Sequence, residues 1–526
     1  MAENPEVTDV VENLDALKEH QEINVLEEDL FTRAMRLEPP QPRHPIMILM
    51  YVCCAVGFLN STTNGYDGSL MNALLINDQF KSFFGASNVG IKAGILNGMY
   101  QVGGVTALPF VGPAIDTWGR RIGMQIGSLI IILGTILTGT TAISGNLSQF
   151  LAGRYFLGFG VSIAAASGPT YVVELAHPRY RGTLTGLYNV CWFTGNIVAT
   201  VTTRFCVSLP GNRSWDVPLY VQMIAPGIIL IAGFFIPESP RWLYANNKFE
   251  QSKAIISKFH GLGNPESVWV QLQLNEYEQF LNTDGADKRW WDYRALFRNR
   301  PSIYRLCCNI VVSIFCQWCG NGIVSYYLSG VLDTAGITNE IQQFNLNIAL
   351  SCVQFAFAVF GAFFVDVWGR RTMMIVAFFV LGFTWVPVVI GSSIVAKNAN
   401  NKAAGSATLA FIFIFDIVYS IGVTPMNALY PVEVLSFEMR AKGMAFSSLA
   451  TNAALLINQF AIPVALQNIQ WRIYIFYACW DICQAVILYF LIPETKGFTL
   501  EELDQIFEQK NPVKASTQKK PAADLA

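Results

Sequence analysis

The chain has 526 residues, of which 52% are hydrophobic and only 14% charged, and its mean hydropathy is +0.38. Soluble proteins carry about 25% charged residues, so the deficit excludes an ordinary soluble domain and points to a chain that crosses a membrane many times. A net charge of −2 gives no electrostatic grip on nucleic acid.

Residues 1–44 hold eleven acids and four bases and lack the basic and apolar segments of a signal peptide. They read as an acidic cytoplasmic tail, part helical and part disordered. A spanning helix needs about 20 mostly apolar residues. Twelve runs meet that need: 46–70, 89–114, 122–143, 149–173, 183–205, 217–237, 303–332, 343–366, 372–394, 404–432, 442–467 and 471–492. The stretch 238–302 between the sixth and seventh runs is polar, and ten Lys/Arg fall from Arg241 to Arg305, the last of them just inside the seventh run. It reads as a cytoplasmic helical linker. The expected organisation is a six-helix half at 45–237, the linker at 238–302, a second six-helix half at 303–493 and a cytoplasmic tail at 494–526.

Basic residues in short loops set orientation. Arg120 and Arg121, Arg179 and Arg181, Arg370 and Arg371, and Arg440 all fall between runs on one side, which places both termini in the cytoplasm. The sequons at Asn146 and Asn212 then face outward and are candidate glycosylation sites. Cys316 and Cys319 form a CxxC, but no cysteines or histidines follow at zinc-site spacing, so helix packing is the reading and no metal is expected.

The halves repeat. "DTWGRR" starts at Asp116 and "DVWGRR" at Asp366, 250 residues apart; Glu174 and Arg181 recur as Glu433 and Arg440 at 259; "PESPR" with Glu238 and "PETKG" with Glu494 are 256 apart. Parallel repeats of this kind place a binding site between two halves near the midplane. The duplicated acids and arginines sit at cytoplasmic helix ends. Asp116, Arg120, Arg121, Glu174, Arg181, Glu238, Arg241, Asp366, Arg370, Arg371, Glu433 and Arg440 form a candidate gate. Arginine holds a carboxylate bidentately, and a network made in one conformation and broken in another biases a two-state equilibrium.

Polar stripes mark faces turned from lipid. The first run has Asn60, Asn64 and Asp67; the fifth has Asn189, Trp192 and Asn196; the seventh has Gln317, Asn321 and Ser325; the eleventh has Asn452 and Gln459. Amides donate to and accept from hydroxyls, and an indole stacks on the C–H face of a sugar ring, so the stripes suit a polyhydroxylated ligand. Amides also serve as glue between helices.

The motifs "GYDG", "DTWGRR", "GRYFLGFG", "VVELAHPRYRGTLTGLYN", "PESPRWL", "DVWGRR", "YPVEVLSFEMRAKG" and "PETKGFTLEELDQIFE" occur in order over about residues 45–508. The chain resembles the sugar porter family of the major facilitator superfamily. "GLYNVCWFTGN" and "QWCGNGIVSYYLSGVL" resemble fungal lactose and cellodextrin permeases in particular. The fold implied is an all-α membrane protein of twelve transmembrane helices in two six-helix halves with a cytoplasmic helical linker.

The resemblance implies roles. In proton-coupled members the acid of the GYD motif partners an arginine of helix 4, which here gives Asp67 and Arg154. The family's helix 5 glutamine falls on Asn189, beside Trp192. Its double glutamine of helix 7 falls on Cys316 and Gln317. Its helix 7 asparagine falls on Gly322, with Asn321 one position earlier. The helix 10 tryptophan of hexose carriers falls on Ala428, next to Asn427, and the helix 11 asparagine on Thr451 or Asn452. Exchange of Trp for Ala opens room for a second sugar ring. Asp416 and Asp481, also in apolar runs, are further acids, and Asp416 is a candidate second protonation site. The expectation is a monomeric, multi-pass plasma-membrane symporter that imports a disaccharide with protons, needs no cofactor and is not an enzyme. The alternatives are a hexose or polyol carrier, or facilitator, and a non-transporting sugar sensor.

Overall fold

The computed structural model describes residues 30–284, 294–398, 401–436, 439–496, 498 and 500–518. These are helical, with no β-strand among them. Residues 1–29 of the expected tail, and the side chains of Asp366 and Arg440, lie outside the described residues.

Each of the twelve apolar runs is helical. We number them α1 (Pro45–Ile76), α2 (Ile91–Trp118), α3 (Arg120–Gly139), α4 (Leu147–Leu175), α5 (Arg181–Cys206), α6 (Arg213–Val221 and Ile224–Ala232), α7 (Arg300–Phe315 and Asn321–Thr334), α8 (Glu340–Trp368), α9 (Arg370–Lys397), α10 (Lys402–Gly422 and Thr424–Val434), α11 (Arg440–Ile469) and α12 (Ile473–Leu491). Helices satisfy their own backbone polar groups, as hydrocarbon requires. Among the described residues eight stretches are long and apolar enough to cross a membrane by composition, the last covering most of α11 and all of α12. The helices outside those stretches are α2, α5 and α7. Two of these, α5 and α7, carry polar stripes, and α2 brings the buried Asn97 and Gln101.

The repeat shows in the turns. Gly119 and Gly369, the glycines of the two WGRR motifs, sit at φ +101° and +86°, a region that disfavours other residues, and each separates two long helices. A Cβ on Gly369 would stand 2.7 Å from the Glu494 carboxylate. Three helices are interrupted. α6 breaks at Gln222–Met223, α7 between Phe315 and Asn321, and α10 at Val423, just before Pro425. Gly320 in the α7 break has φ +89°, and a Cβ there would meet Trp385 at 2.5 Å.

Small residues bring helices into backbone contact. A Cβ on Gly65 of α1 would lie 1.9 Å from the carbonyl of Trp192, and one on Gly195 of α5 would lie 2.0 Å from that of Thr62. Gly103 of α2 and Gly158 of α4 do the same against the Tyr155 and Tyr100 carbonyls. These contacts fix the positions of Trp192, Tyr100 and Arg154.

The chain folds as two compact units. One comprises residues up to Cys53 together with Glu174–Arg181 and Pro237–Ala286; the other comprises Cys54–Val173, Gly182–Ile236 and Asp287 onward. In the first, helix Leu30–Leu37 rests on helix Val268–Asp284. Phe31 meets Trp269 edge-on at 5.6 Å, the Trp269 indole donates to the Glu38 carbonyl at 2.7 Å, and the Ser267 hydroxyl donates to the Glu38 carboxylate. Residues 30–38 are therefore docked through side-chain contacts.

Candidate functional site

Within the larger unit, α1, α5, α7, α8 and α10 line a small, partly open cavity. α1 supplies Asn72, α5 Trp192 and Asn196, α7 Ser325 and Tyr326, α8 Asn347, Ser351 and Gln354, and α10 Asp416. Hydrogen bonds cross it. The Asn196 amide donates to the Gln354 side-chain oxygen Oε1 at 3.4 Å, and the Ser351 hydroxyl donates to the Asn196 side-chain oxygen Oδ1 at 3.2 Å. Asn72 accepts from the backbone N–H of Leu328 at 3.1 Å, which ties α1 to α7. Among the described lining residues Asp416 is the only charged type, and none is basic.

Asp67 and Arg154 are buried, at 0% and 1% exposure. The Arg154 charge acts on Asp67 through space, yet neither Asp67 oxygen has a hydrogen-bond partner. The guanidinium instead lies over the Tyr100 ring, 5.0 Å from its centre, with Nε and Nη1 unbonded. The Tyr100 hydroxyl donates to Asn64 at 3.5 Å. Gln222, at the α6 break, lies beside Asp67; it is buried, with both amide atoms lacking partners.

Of the residues assigned to sugar from sequence, the structure brings Trp192 to the cavity, with its stripe neighbours Asn196 and Ser325. Asn321 starts the second segment of α7 and accepts from Ser325 at 2.8 Å, so it supports the wall from behind. Gln317 is buried, and its backbone carbonyl accepts from Asn458 at 2.8 Å. Asn189 is exposed. Asn427 and Thr451 are half-buried away from the cavity lining. Asn452 donates to the Ser448 carbonyl at 2.8 Å. Sequence reasoning missed Asn72, Gln222 and the α8 residues Asn347, Ser351 and Gln354. The α8 residues follow the i, i+4, i+7 spacing read elsewhere and were legible in the eighth run.

At the helix ends, Arg370 forks onto Glu433, with Nη2 at 2.8 Å from Oε1 and Nε at 3.0 Å from Oε2. Thr495 donates to the same carboxylate at 2.6 Å. Glu494 accepts the backbone N–H groups of Arg370 and Arg371 at 2.9 and 3.1 Å, filling the space beside Gly369. Arg371 donates to the Ile492 carbonyl at 2.9 Å. In the first repeat Arg120 stands 3.5 Å from Asp116, and Arg121 donates to the Ile236 carbonyl at 3.2 Å. In the smaller unit Glu174 accepts the Ser239 hydroxyl, Glu238 accepts the Ser239 N–H at 2.8 Å, and Arg181 reaches Glu276 at 3.3 Å and Gln273 at 3.0 Å. Arg241 follows in helix Pro240–Ala245.

Asn146 is exposed, whereas Asn212 is half-buried and donates its amide to the Ala142 carbonyl at 3.2 Å. Cys316 and Cys319 are buried free thiols, and among the described residues no acid, histidine and cysteine cluster suits a metal ion.

The profile of the family described as "Sugar (and other) transporter" matches residues 53–507. The chain is 27% identical to the high-affinity glucose transporter of Kluyveromyces lactis over 494 residues, 89% of this chain and 86% of that one. It is 26% identical to the quinate permease of Emericella nidulans over 497 residues, 90% and 91% of the two chains. Neither relative is described as a lactose or cellodextrin permease. The inward-open xylose transporter XylE from E. coli superposes with a TM-score of 0.71 at 19% identity, over 87% of this chain and 100% of that one, a likeness of fold. The multi-pass helical architecture, the matched profile and the polar cavity agree: the chain belongs to the sugar (and other) transporter family, built on the major facilitator fold.

Proposed function

We propose that this protein is a proton-coupled importer of a neutral sugar, working by alternating access, with Asp67 as the proton-carrying acid and Arg154 as its counter-charge. The observation that carries the reading is a buried carboxyl whose two oxygens lack hydrogen-bond partners while the arginine that acts on it rests on Tyr100. A lone charge at membrane depth costs roughly 2.5–3.5 kcal/mol on insertion scales. Protonation removes that cost, and a return of Arg154 to the deprotonated acid offsets it, so proton binding biases the conformational equilibrium. One solved structure of the same fold is a proton:xylose symporter.

The cavity supports a neutral solute. Amides, hydroxyls and the Trp192 indole suit sugar hydroxyls and C–H faces. A carboxylate solute such as quinate would meet Asp416 and no cation among the described lining residues. We keep the disaccharide reading, lactose or cellobiose, on the alanine at position 428. A single-ring sugar is the second reading, favoured by the glucose transporter among the relatives. The plasma membrane, cytoplasmic termini, a gate made of the repeated acids and arginines, and a monomeric carrier complete the proposal. The duplicated motifs support the gate, and the exposed Asn146 supports outward glycosylation there more than the engaged Asn212 does.

The test is external pH in lightly buffered cells that lack other sugar carriers and express this chain. Lactose, cellobiose, maltose, glucose and quinate are added in turn. Alkalinisation on a neutral sugar, abolished by Asp67→Asn with the protein still at the surface, is the expected result. Labelled uptake without a pH change sinks the coupling. A response to quinate alone sinks the neutral-sugar reading.

A further inference from the structure

Asp416 of α10 is 0% exposed, and neither of its oxygens has a hydrogen-bond partner. It lines the same cavity as Trp192 and Asn196. Among the described residues, the elements packed on this part of α10 bring no charged group to it. α8 offers the Gln354 amide beside it, α7 offers Tyr326 from the same lining, and α9 offers the Trp385 ring, tilted against Phe415. On its own helix the titratable neighbour is Tyr419 and the polar one is Ser420, itself buried and unbonded. A carboxylate here would be buried with no cation and only the Gln354 amide to offset it, whereas a neutral carboxyl both donates and accepts. Gln354 also accepts from Asn196, so a ligand that engages Asp416 reaches the bond that bridges α5 and α8.

We propose that Asp416 is a second proton-binding carboxyl, set in the substrate cavity itself, which holds its proton while the cavity is empty and hydrogen-bonds hydroxyls of the bound sugar. The inference rests on the sugar-transport reading but not on the role of Asp67. The step is one proton transfer from the aqueous phase: a hydronium O–H bond breaks, an O–H bond forms on an Asp416 oxygen, and a neutral water is left. The neutral acid then offers one donor and one acceptor to a vicinal diol of the substrate.

The experiment uses the purified full chain in liposomes. Infrared spectra are compared for wild type, Asp67→Asn and Asp416→Asn without sugar at neutral pH. A protonated-carboxyl carbonyl band present in the first two and missing in the third is the expected result. A wild type and Asp416→Asn with identical bands in this region overturn the proposal, whatever Asp67 does. In parallel, uptake of labelled glucose and cellobiose is measured. Asp416→Asn, which keeps a donor and an acceptor, loses less uptake than Asp416→Leu does. Asp416→Leu loses about tenfold or more, the loss expected when a site's hydrogen bonds to a hydroxyl go unmade. Thermal melting verifies that the Leu variant folds, and a folded Leu variant with wild-type uptake of a sugar that wild type carries also overturns the proposal.

Discussion

The Arg154 guanidinium lies over the Tyr100 ring, 5.0 Å from its centre, while the oxygens of Asp67 are left without hydrogen bonds. A ring face attracts a cation by about 0.5–2 kcal/mol, more when desolvated. That is enough to hold the arginine off the acid without trapping it. Tyr100→Phe keeps the face and is expected to transport with a near-normal pH profile. Tyr100→Leu removes it and lets Arg154 close on Asp67, which favours the charged acid. Its uptake should then need a more acidic exterior, with the profile displaced toward low pH. Superimposable profiles for Phe, Leu and wild type would show that Tyr100 does not hold Arg154.

The helix contacts beneath this pair predict stability. Gly195 faces the Thr62 carbonyl at a distance where a Cβ would stand 2.0 Å away, and the listener on the other helix is backbone, which yields little. Gly195→Ala is expected to cost about 1–3 kcal/mol through overpacking. It should lower the melting temperature of the purified carrier and reduce its surface level. Gly186, on the same helix with nothing within 4 Å of its Cβ position, supplies the control, and Gly186→Ala should melt as wild type does. Equal melting of the two variants would remove backbone contact as the reason for these glycines.

The fork of Arg370 on Glu433 makes a third case. Arg370 donates through Nε and Nη2 to both carboxylate oxygens, and Thr495 completes the shell. Arg370→Lys keeps the charge but loses the fork. Lysine should therefore rescue little, and Arg370→Lys should slow maximal uptake more than it changes the half-saturating sugar concentration. A double-mutant cycle with Glu433→Gln is expected to give a coupling of about 0.5–3 kcal/mol in detergent melts. Additive effects would mean that the two side chains act separately.

These residues also show what sequence carries. The helices were legible because each run is long and mostly apolar, and a backbone in hydrocarbon must satisfy its own polar groups. The motif glycines were legible as repeats, and Gly119 and Gly369 adopt matching positive φ. Partner choice was not. The repeat marks Glu433 and Arg440, whose side chain lies outside the described residues, but no spacing in the sequence points to the fork that Glu433 receives from Arg370, 63 residues away. Stripe spacing found Trp192 and Asn196, yet it treated Asn189 as their equal. Asn189 lies on the same helix, but two turns from Asn196 it is exposed. Gln222 had no local signal at all, since it meets Asp67 only because α6 breaks there.

The last prediction concerns the smaller unit, where the His177 and His260 rings meet edge-on at 5.4 Å and the His177 ring lies 4.6 Å from that of Trp269. His260 Nε2 bonds the Leu175 carbonyl at 3.1 Å, and its Nδ1 has no partner. Burial pushes His177 down to about 3, helped by the neighbouring His260 and Arg181. Burial likewise pushes His260 down to about 4, with the Leu175 bond opposing it. An unfolded histidine titrates near 6.5, so below that pH the unfolded segment binds protons that the folded one refuses. Stability is complete above about 6.5 and falls as the pH drops toward 4, with a limiting slope of about 1.4 kcal/mol per pH unit for each histidine. Hydrogen exchange in Val268–Asp284, corrected for intrinsic rates, should therefore accelerate between pH 7 and 5. His260→Gln keeps an N–H for the Leu175 carbonyl but cannot titrate, so it should shallow that dependence by roughly half. A His260→Gln profile parallel to wild type would show that this histidine is not a source of the acid sensitivity.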